Sequence, residues 1–167
     1  MNTNLRAFLQ TVAVSELTAR LLAISDNGYN VLVGSTPDHP RLFNSYRDHP
    51  RQLVELRDKR GDPIIGQDGR PLKSTAAGRY QIKRDIFDAY KVRLKLTDFS
   101  PASQDAIAIQ LIRECRALDD IEAGRVAVAI DKCRSRWASL PGAGYGQREN
   151  TLDELALAFR RSGGVIA

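Results

Sequence analysis

The sequence predicts a mixed α+β fold, mainly helical, with a small β region inserted after the first helix. Three observations predict it. Apolar residues recur at three- and four-residue steps in the N-terminal segment and again after about Ala77. The stretch between them, about 28–75, is rich in Pro, Gly and Asp turn signals around short β-prone runs. The 167 residues show no internal repeat, low-complexity tract or linker, which suits one domain spanning 1–167.

Each element follows in order. Leu5, Phe8, Leu9 and Val12 form one stripe of a helix running from Asn4 to about Leu22. Ser25-Asp26-Asn27-Gly28 ends it, and Tyr29 to Val33 reads as a short strand closed by Gly34. Residues 35–52 carry prolines after both His39 and His49, which keeps those histidines out of a helix and marks them as loop residues. Asp62-Pro63 and Asp68-Gly69 flank Ile64-Ile65, so 53–72 is expected to be a hairpin or a pair of strands. From about Ala77 a helix is expected, with Ile82, Ile86, Phe87 and Tyr90 on one face. Ser100 is the expected N-cap of the next helix, with Pro101 at its first position. A third helix is expected over Arg125 to Arg136. After Pro141-Gly142-Ala143-Gly144 a final amphipathic helix runs from about Leu152 to Arg161 and stops at Gly163-Gly164. Phe99 and Trp137 are expected in the core.

With 43% hydrophobic and 27% charged residues, the composition excludes a disordered chain. A net charge of +5 favours an anionic partner. The basic residues are spread along the chain without a Lys/Arg run, so no nucleic-acid partner is expected. Cys115 and Cys133 fit no zinc spacing and lie far from both histidines, so no metal is expected and the cysteines read as reduced thiols. No segment approaches the ~20 apolar residues of a membrane span. Met1 to Ala13 lacks the pattern of a signal peptide, so no membrane insertion and a cytoplasmic start are expected.

One residue breaks its own pattern. Glu16 falls at the centre of the apolar stripe of the first helix, one turn after Val12. Either the helix ends there and the side chain is solvated, or a carboxylic acid stands in a partly apolar wall. In the second case its pKa rises, and it can hold a proton near neutral pH for delivery to a glycosidic oxygen.

Seven short segments stand in order along nearly the whole chain: Ser15-Glu16, Gly28 to Gly34, Asp48-His49-Pro50-Arg51, Ser74 to Gln81, Asp98 to Pro101, Ser103 to Ala106 and Trp137 to Gln147, the last the most specific. Together and in this order they resemble the lambda-type phage endolysins. The resemblance implies a lysozyme-like α+β fold, a mainly helical lobe plus a small β-sheet or hairpin lobe flanking a saccharide-binding groove. It also implies cleavage of the β-1,4 bond between N-acetylmuramic acid and N-acetylglucosamine in peptidoglycan, with a 1,6-anhydromuramoyl product. A hydrolytic muramidase of the same fold and a non-catalytic wall-binding or tail-associated protein are the alternatives.

The resemblance makes Glu16 the catalytic acid. Gly78, Tyr80 and Gln81 match a Gly-x-x-Gln element suited to an N-acetyl group or ring hydroxyl, and Tyr145 and Gln147 fall in the string that carries the family's groove tyrosine. Ser15 is placed to hydrogen-bond beside the acid. Asp26, Asp38 and Asp48 are the carboxylates best placed to serve a hydrolytic mechanism as a second acid. No cofactor is implied. The expected partners are glycan strands, and a holin that gives a monomeric enzyme access from the host cytoplasm to the wall. Relatives commonly carry Gly where this chain has Leu17, which implies a longer first helix here.

Overall fold

The structure is a computed structural model that describes residues 1–58, 60–144 and 149–167. The described residues are mostly helical, with one two-stranded antiparallel sheet. The chain folds as two compact units, one of residues 1–18 with 105–167, the other of 19–104. The β-rich insertion expected over about 28–75 is thus part of a larger unit that also holds helices.

In the first unit, α1 (Thr3–Leu17) begins at Asn2, whose side chain accepts from the N–H of Asn4. Leu5, Phe8, Leu9 and Val12 are all buried, as their spacing predicts. The helix packs against α7 (Leu152–Arg161) and α5 (Leu118–Glu122), and α6 (Val126–Cys133) packs against both of those. A capping box between Thr151 and Glu154 starts α7. Its buried Leu155 and Phe159 meet a core that includes Phe8, Ile121, Ile130 and Leu140. The chain end is tied back to α1, since the Asn4 amide donates to Glu122 O and Val165 O and accepts from Val165 N–H.

Two expectations change here. The first helix does not run to Leu22: it stops at Leu17, and α2 (Ala19–Ala23) follows after Thr18. Thr18 has φ +68 and ψ 150, a conformation no helix can pass through and one that β-branched residues rarely adopt. The third helix likewise ends at Cys133 rather than Arg136, and the five-residue α5 precedes it. Cys115 and Cys133 are free thiols.

In the second unit, the expected strand at 29–33 is reduced to single bridges, Val31 to Leu42 and Leu32 to Ala77. The preceding turn and Gly34, at φ +78, leave it no room to extend. Segment 53–72 is β-paired but holds only one of the two strands, the partner lying just beyond it at 73–74. β1 (Val54–Glu55) pairs with β2 (Lys73–Ser74), and further bridges join Arg57 to Pro63 and Ile65 to Pro71. Three main-chain bonds close a ring among these segments, from Leu56 N–H to Leu72 O, Leu72 N–H to Ile64 O and Ile64 N–H to Leu56 O, each 2.8–2.9 Å. Asp58 caps the first turn by accepting from Arg60 and Asp62 N–H.

The helix expected from Ala77 begins only at Arg84, as α3 (Arg84–Arg93). Ala77 and Ile82 instead exchange two main-chain bonds across a loop in which Gly78 has φ +77 and Gln81 φ +47. Two left-handed residues within five positions exclude a helix. The next helix, α4 (Pro101–Glu114), starts where expected: Ser100 Oγ accepts from Ser103 N–H, and Asp98 accepts from Ser100 N–H and Ser103 Oγ. Phe99 and Trp137 are buried, as expected.

Candidate active site

The acid sits on the last turn of α1. Glu16 is half-buried, while Val12, one turn earlier, and Leu17 are buried. Ser139 Oγ donates to Glu16 Oε1 at 2.5 Å. Behind it, Ser15 Oγ donates to Ser139 Oγ at 2.7 Å, and Asn150 Nδ2 donates to Ser15 Oγ at 3.0 Å. Burial raises the Glu16 carboxyl above its ordinary pKa, partly offset by the Ser139 hydroxyl and the Ser139 main-chain N–H. Among the described residues, no charged neighbour contributes. An acid shifted by desolvation, with a hydrogen bond on one oxygen, can carry a transferable proton near neutral pH.

Gly78, Tyr80 and Gln81 lie together in the loop between Ala77 and Ile82. Gln104, fully buried, holds that loop: its Oε1 accepts from Arg79 N–H at 2.9 Å, and its Nε2 donates to Tyr29 O and Phe99 O. A β-carbon on Gly78 would stand 2.1 Å from Gln104 Oε1, so the close approach that requires glycine is to this side chain rather than to a sugar. Tyr80 is 2% exposed, its ring inside the unit with the Arg79 guanidinium 5.8 Å from its centre. Only Gln81 of the three keeps exposed surface, and its Nε2 donates to Gly78 O at 2.9 Å.

Ser15, expected beside the acid, is 8% exposed with its hydroxyl turned to Ser139. It supports the acid from behind and offers little to a ligand. Tyr145 and Gln147 lie outside the described residues. The three candidate second carboxylates all have partners in their own unit: Asp26 accepts from Tyr46 Oη, Asp38 pairs with Arg20, and Asp48 pairs with Arg51 and Lys91. Arg51 and Lys91 hold the Asp48 carboxyl at a pKa of about 2. His39 is exposed, but His49 is a core residue. Its Nε2 donates to Ile82 O, its Nδ1 accepts from Arg51 N–H, and its ring packs against both Phe87 and Phe99, which also touch each other. Burial lowers its pKa, which favours the neutral ring.

Sequence reading missed Ser139, Asn150 and Gln104. Ser139 lies inside the Trp137–Gln147 string and Gln104 inside Ser103–Ala106, both among the segments that carry the family resemblance, but neither position has a local pattern that marks its role.

Comparison with known proteins supplies the remaining context. A family model described as Endolysin matches residues 6–166. The endolysin of Escherichia phage P2 is 49% identical over 164 residues, covering 98% of this chain and 95% of that protein. The endolysin of Escherichia phage lambda is 46% identical, covering 99% and 95%. The solved structure of bacteriophage lambda lysozyme complexed with a chitohexasaccharide matches with a TM-score of 0.84 and 44% identity, over 100% of this chain and 98% of that one. A second structure of the lambda lysozyme matches with a TM-score of 0.80 and 43% identity.

Proposed function

Because this chain belongs to the endolysin family of cell-wall-degrading phage enzymes, we propose that it cuts peptidoglycan by lytic transglycosylation with Glu16 as its single acid and base. Protonated Glu16 gives its proton to the oxygen that joins C1 of N-acetylmuramic acid to O4 of N-acetylglucosamine, and the C1–O4 bond breaks. The Glu16 carboxylate then takes the proton of the muramic acid O6 hydroxyl as O6 bonds to C1. The products are a 1,6-anhydromuramoyl end and a free O4 hydroxyl, with no water consumed. The nucleophile is part of the substrate, so proximity comes without a second protein group.

The observation that carries this is the half-buried Glu16, whose pKa is raised by desolvation and not by a neighbouring carboxylate. Asp26, Asp38 and Asp48, the candidates for a second carboxylate, are each engaged elsewhere. A glycan substrate agrees with the chitohexasaccharide bound by the similar lysozyme. Gln81, which keeps exposed surface and an amide oxygen able to accept while its Nε2 donates to Gly78 O, is the residue of its loop best suited to an N-acetyl group. The enzyme works as a monomer, accumulates in the host cytoplasm and reaches the wall once a holin opens the membrane. Its net charge of +5 favours contact with anionic wall polymers.

Glu16→Gln is expected to fold and to clear purified sacculi at less than about a hundredth of the wild-type rate, the loss typical of removing a general acid. Near-wild-type clearing would overturn the assignment. Mass spectrometry of the muropeptides decides the reaction. Non-reducible anhydro ends are expected, and reducible muramic acid ends would mean hydrolysis. Sacculus binding without any cleavage would leave a wall-binding protein.

A further inference from the structure

The hydrogen bonds behind Glu16 have a direction. Asn150 Nδ2 lies 3.2 Å from Ser15 O, 3.1 Å from Ser139 O and 3.0 Å from Ser15 Oγ. Two of these are carbonyl oxygens, which only accept, so the amide nitrogen and not its oxygen must face Ser15. The Asn150 main-chain N–H also donates to Ser139 O, at 2.9 Å, which fixes the residue in place. An amide nitrogen cannot accept. Ser15 Oγ therefore accepts at that contact, sharing the two amide protons with the carbonyls, and its own proton points to Ser139 Oγ, 2.7 Å away, with Ser139 O a more distant second acceptor at 3.2 Å. Ser139 Oγ, filled from behind, has its proton left for Glu16 Oε1.

We propose that Asn150, Ser15 and Ser139 form a one-way chain of donors that ends on Glu16 Oε1 and leaves Oε2 as the oxygen that gives and takes the catalytic proton. The proposal rests on Glu16 being the acid and base. Oε1 accepts in both states, more strongly as part of a carboxylate than as the carbonyl oxygen of the neutral acid, so the chain keeps its arrangement while favouring the charged form. No hydroxyl has to turn between the acid step and the base step, and such preorganised dipoles cost no reorganisation during the reaction. Ser15, Ser139 and Asn150 are positioning residues, and none is required to touch the sugar.

The chain also sets where Glu16 titrates. Burial pushes the carboxyl up, and the Ser139 hydroxyl and N–H pull it back. The helices packed on α1 carry Asp119, Asp120 and Glu122 on α5 and Asp153, Glu154, Arg160 and Arg161 on α7, and none of them contributes to the Glu16 shift among the described residues. Glu149 accepts from Gly142 and Gly144 N–H, Glu154 from Thr151, and Asp120 pairs with Arg125 and Lys132.

The test is the titration of the Glu16 carboxyl carbon by NMR in sugar-free protein, identified by its absence from Glu16→Gln, beside the pH profile of sacculus clearing. In Ser139→Ala the NMR midpoint is expected to rise, the alkaline limb of the profile to rise with it, and the rate at the optimum to fall roughly tenfold to a hundredfold. Ser139→Thr, which keeps the hydroxyl, is expected to restore midpoint and limb. Asn150→Asp can only accept and carries a charge, so it reverses the first contact and is expected to raise the midpoint too. Ser15→Ala provides a second site, with a smaller rise in the same direction. An unchanged midpoint in Ser139→Ala and Ser15→Ala overturns the chain, as does failure of Ser139→Thr to restore it. The NMR midpoint needs no turnover. It therefore judges the chain even if Glu16→Gln proves active, a result that would remove the proposed function alone.

Discussion

Replacing Gly78 by Ala is expected to unlatch the loop that carries Gln81, and the structure sets the size of the effect. At φ +77 a β-carbon costs about 1–2 kcal/mol from backbone strain alone. That carbon would also stand 2.1 Å from Gln104 Oε1 and 2.7 Å from its Cδ, so the Gln104 side chain must leave. Gln104 is fully buried, and its departure breaks three hydrogen bonds, to Arg79 N–H, Tyr29 O and Phe99 O. At about 1 kcal/mol net for each, this adds about 3 kcal/mol. The total of about 4–5 kcal/mol is a large share of the about 5–15 kcal/mol that holds an ordinary protein folded. Urea unfolding followed by far-UV circular dichroism would measure it in Gly78→Ala, Gln104→Ala and the double variant. Once Gln104 is Ala the collision is gone, so Gly78→Ala should then cost only the about 1–2 kcal/mol of strain. The two substitutions should therefore fall short of additivity by about 3 kcal/mol. Additive costs, to within about 0.5 kcal/mol, would refute the account of Gln104 as the latch.

Two further outcomes follow from α1. Thr18→Gly removes a β-branched residue from a conformation that suits glycine, and is expected to raise stability in urea by about 1 kcal/mol after the greater unfolded-state freedom of glycine is counted; a loss of stability would show that the Thr18 side chain contributes more than its strain costs. Glu16→Gln is expected to be more stable than the wild type at neutral pH and equal to it at about pH 4. The sign follows from the raised pKa: the folded protein binds the Glu16 proton more tightly than the unfolded chain, so stability falls as pH rises from the unfolded carboxylate pKa through the folded one. Thermal unfolding of both proteins across that range would check it, and a constant difference would contradict it.

The parts of this protein that were legible in the sequence are those governed by near neighbours. The limits of α7 follow from its periodicity and the glycines behind it, and Ser100-Pro101 marks the start of α4 to the residue. Glu16 stood out because it interrupts a local stripe. The break at Thr18 left no signal, since threonine is an unexpected occupant of its conformation. Ala77 to Lys83 reads as helix from its apolar spacing, while the left-handed backbone at Gly78 and Gln81 depends on Gln104, a residue in another element. The support of the acid was out of reach for the same reason. Ser139 lies 123 residues from Glu16, and Asn150 lies 135 residues from Ser15. No period connects positions that far apart, and serines and asparagines are common enough to pass unnoticed.

The ring of bonds joining Leu56, Ile64 and Leu72 has a consequence for how this protein behaves at high concentration. A short sheet normally ends in an edge, a row of unpaired N–H and C=O groups that can recruit a strand from another molecule. Here each of the three segments donates to one neighbour and accepts from the other, so at that level the sheet bites its own tail and has no edge to offer. The safeguard matters because Leu53, Ile65 and Leu72 in the same region are exposed and apolar, the kind of surface from which intermolecular pairing would otherwise start.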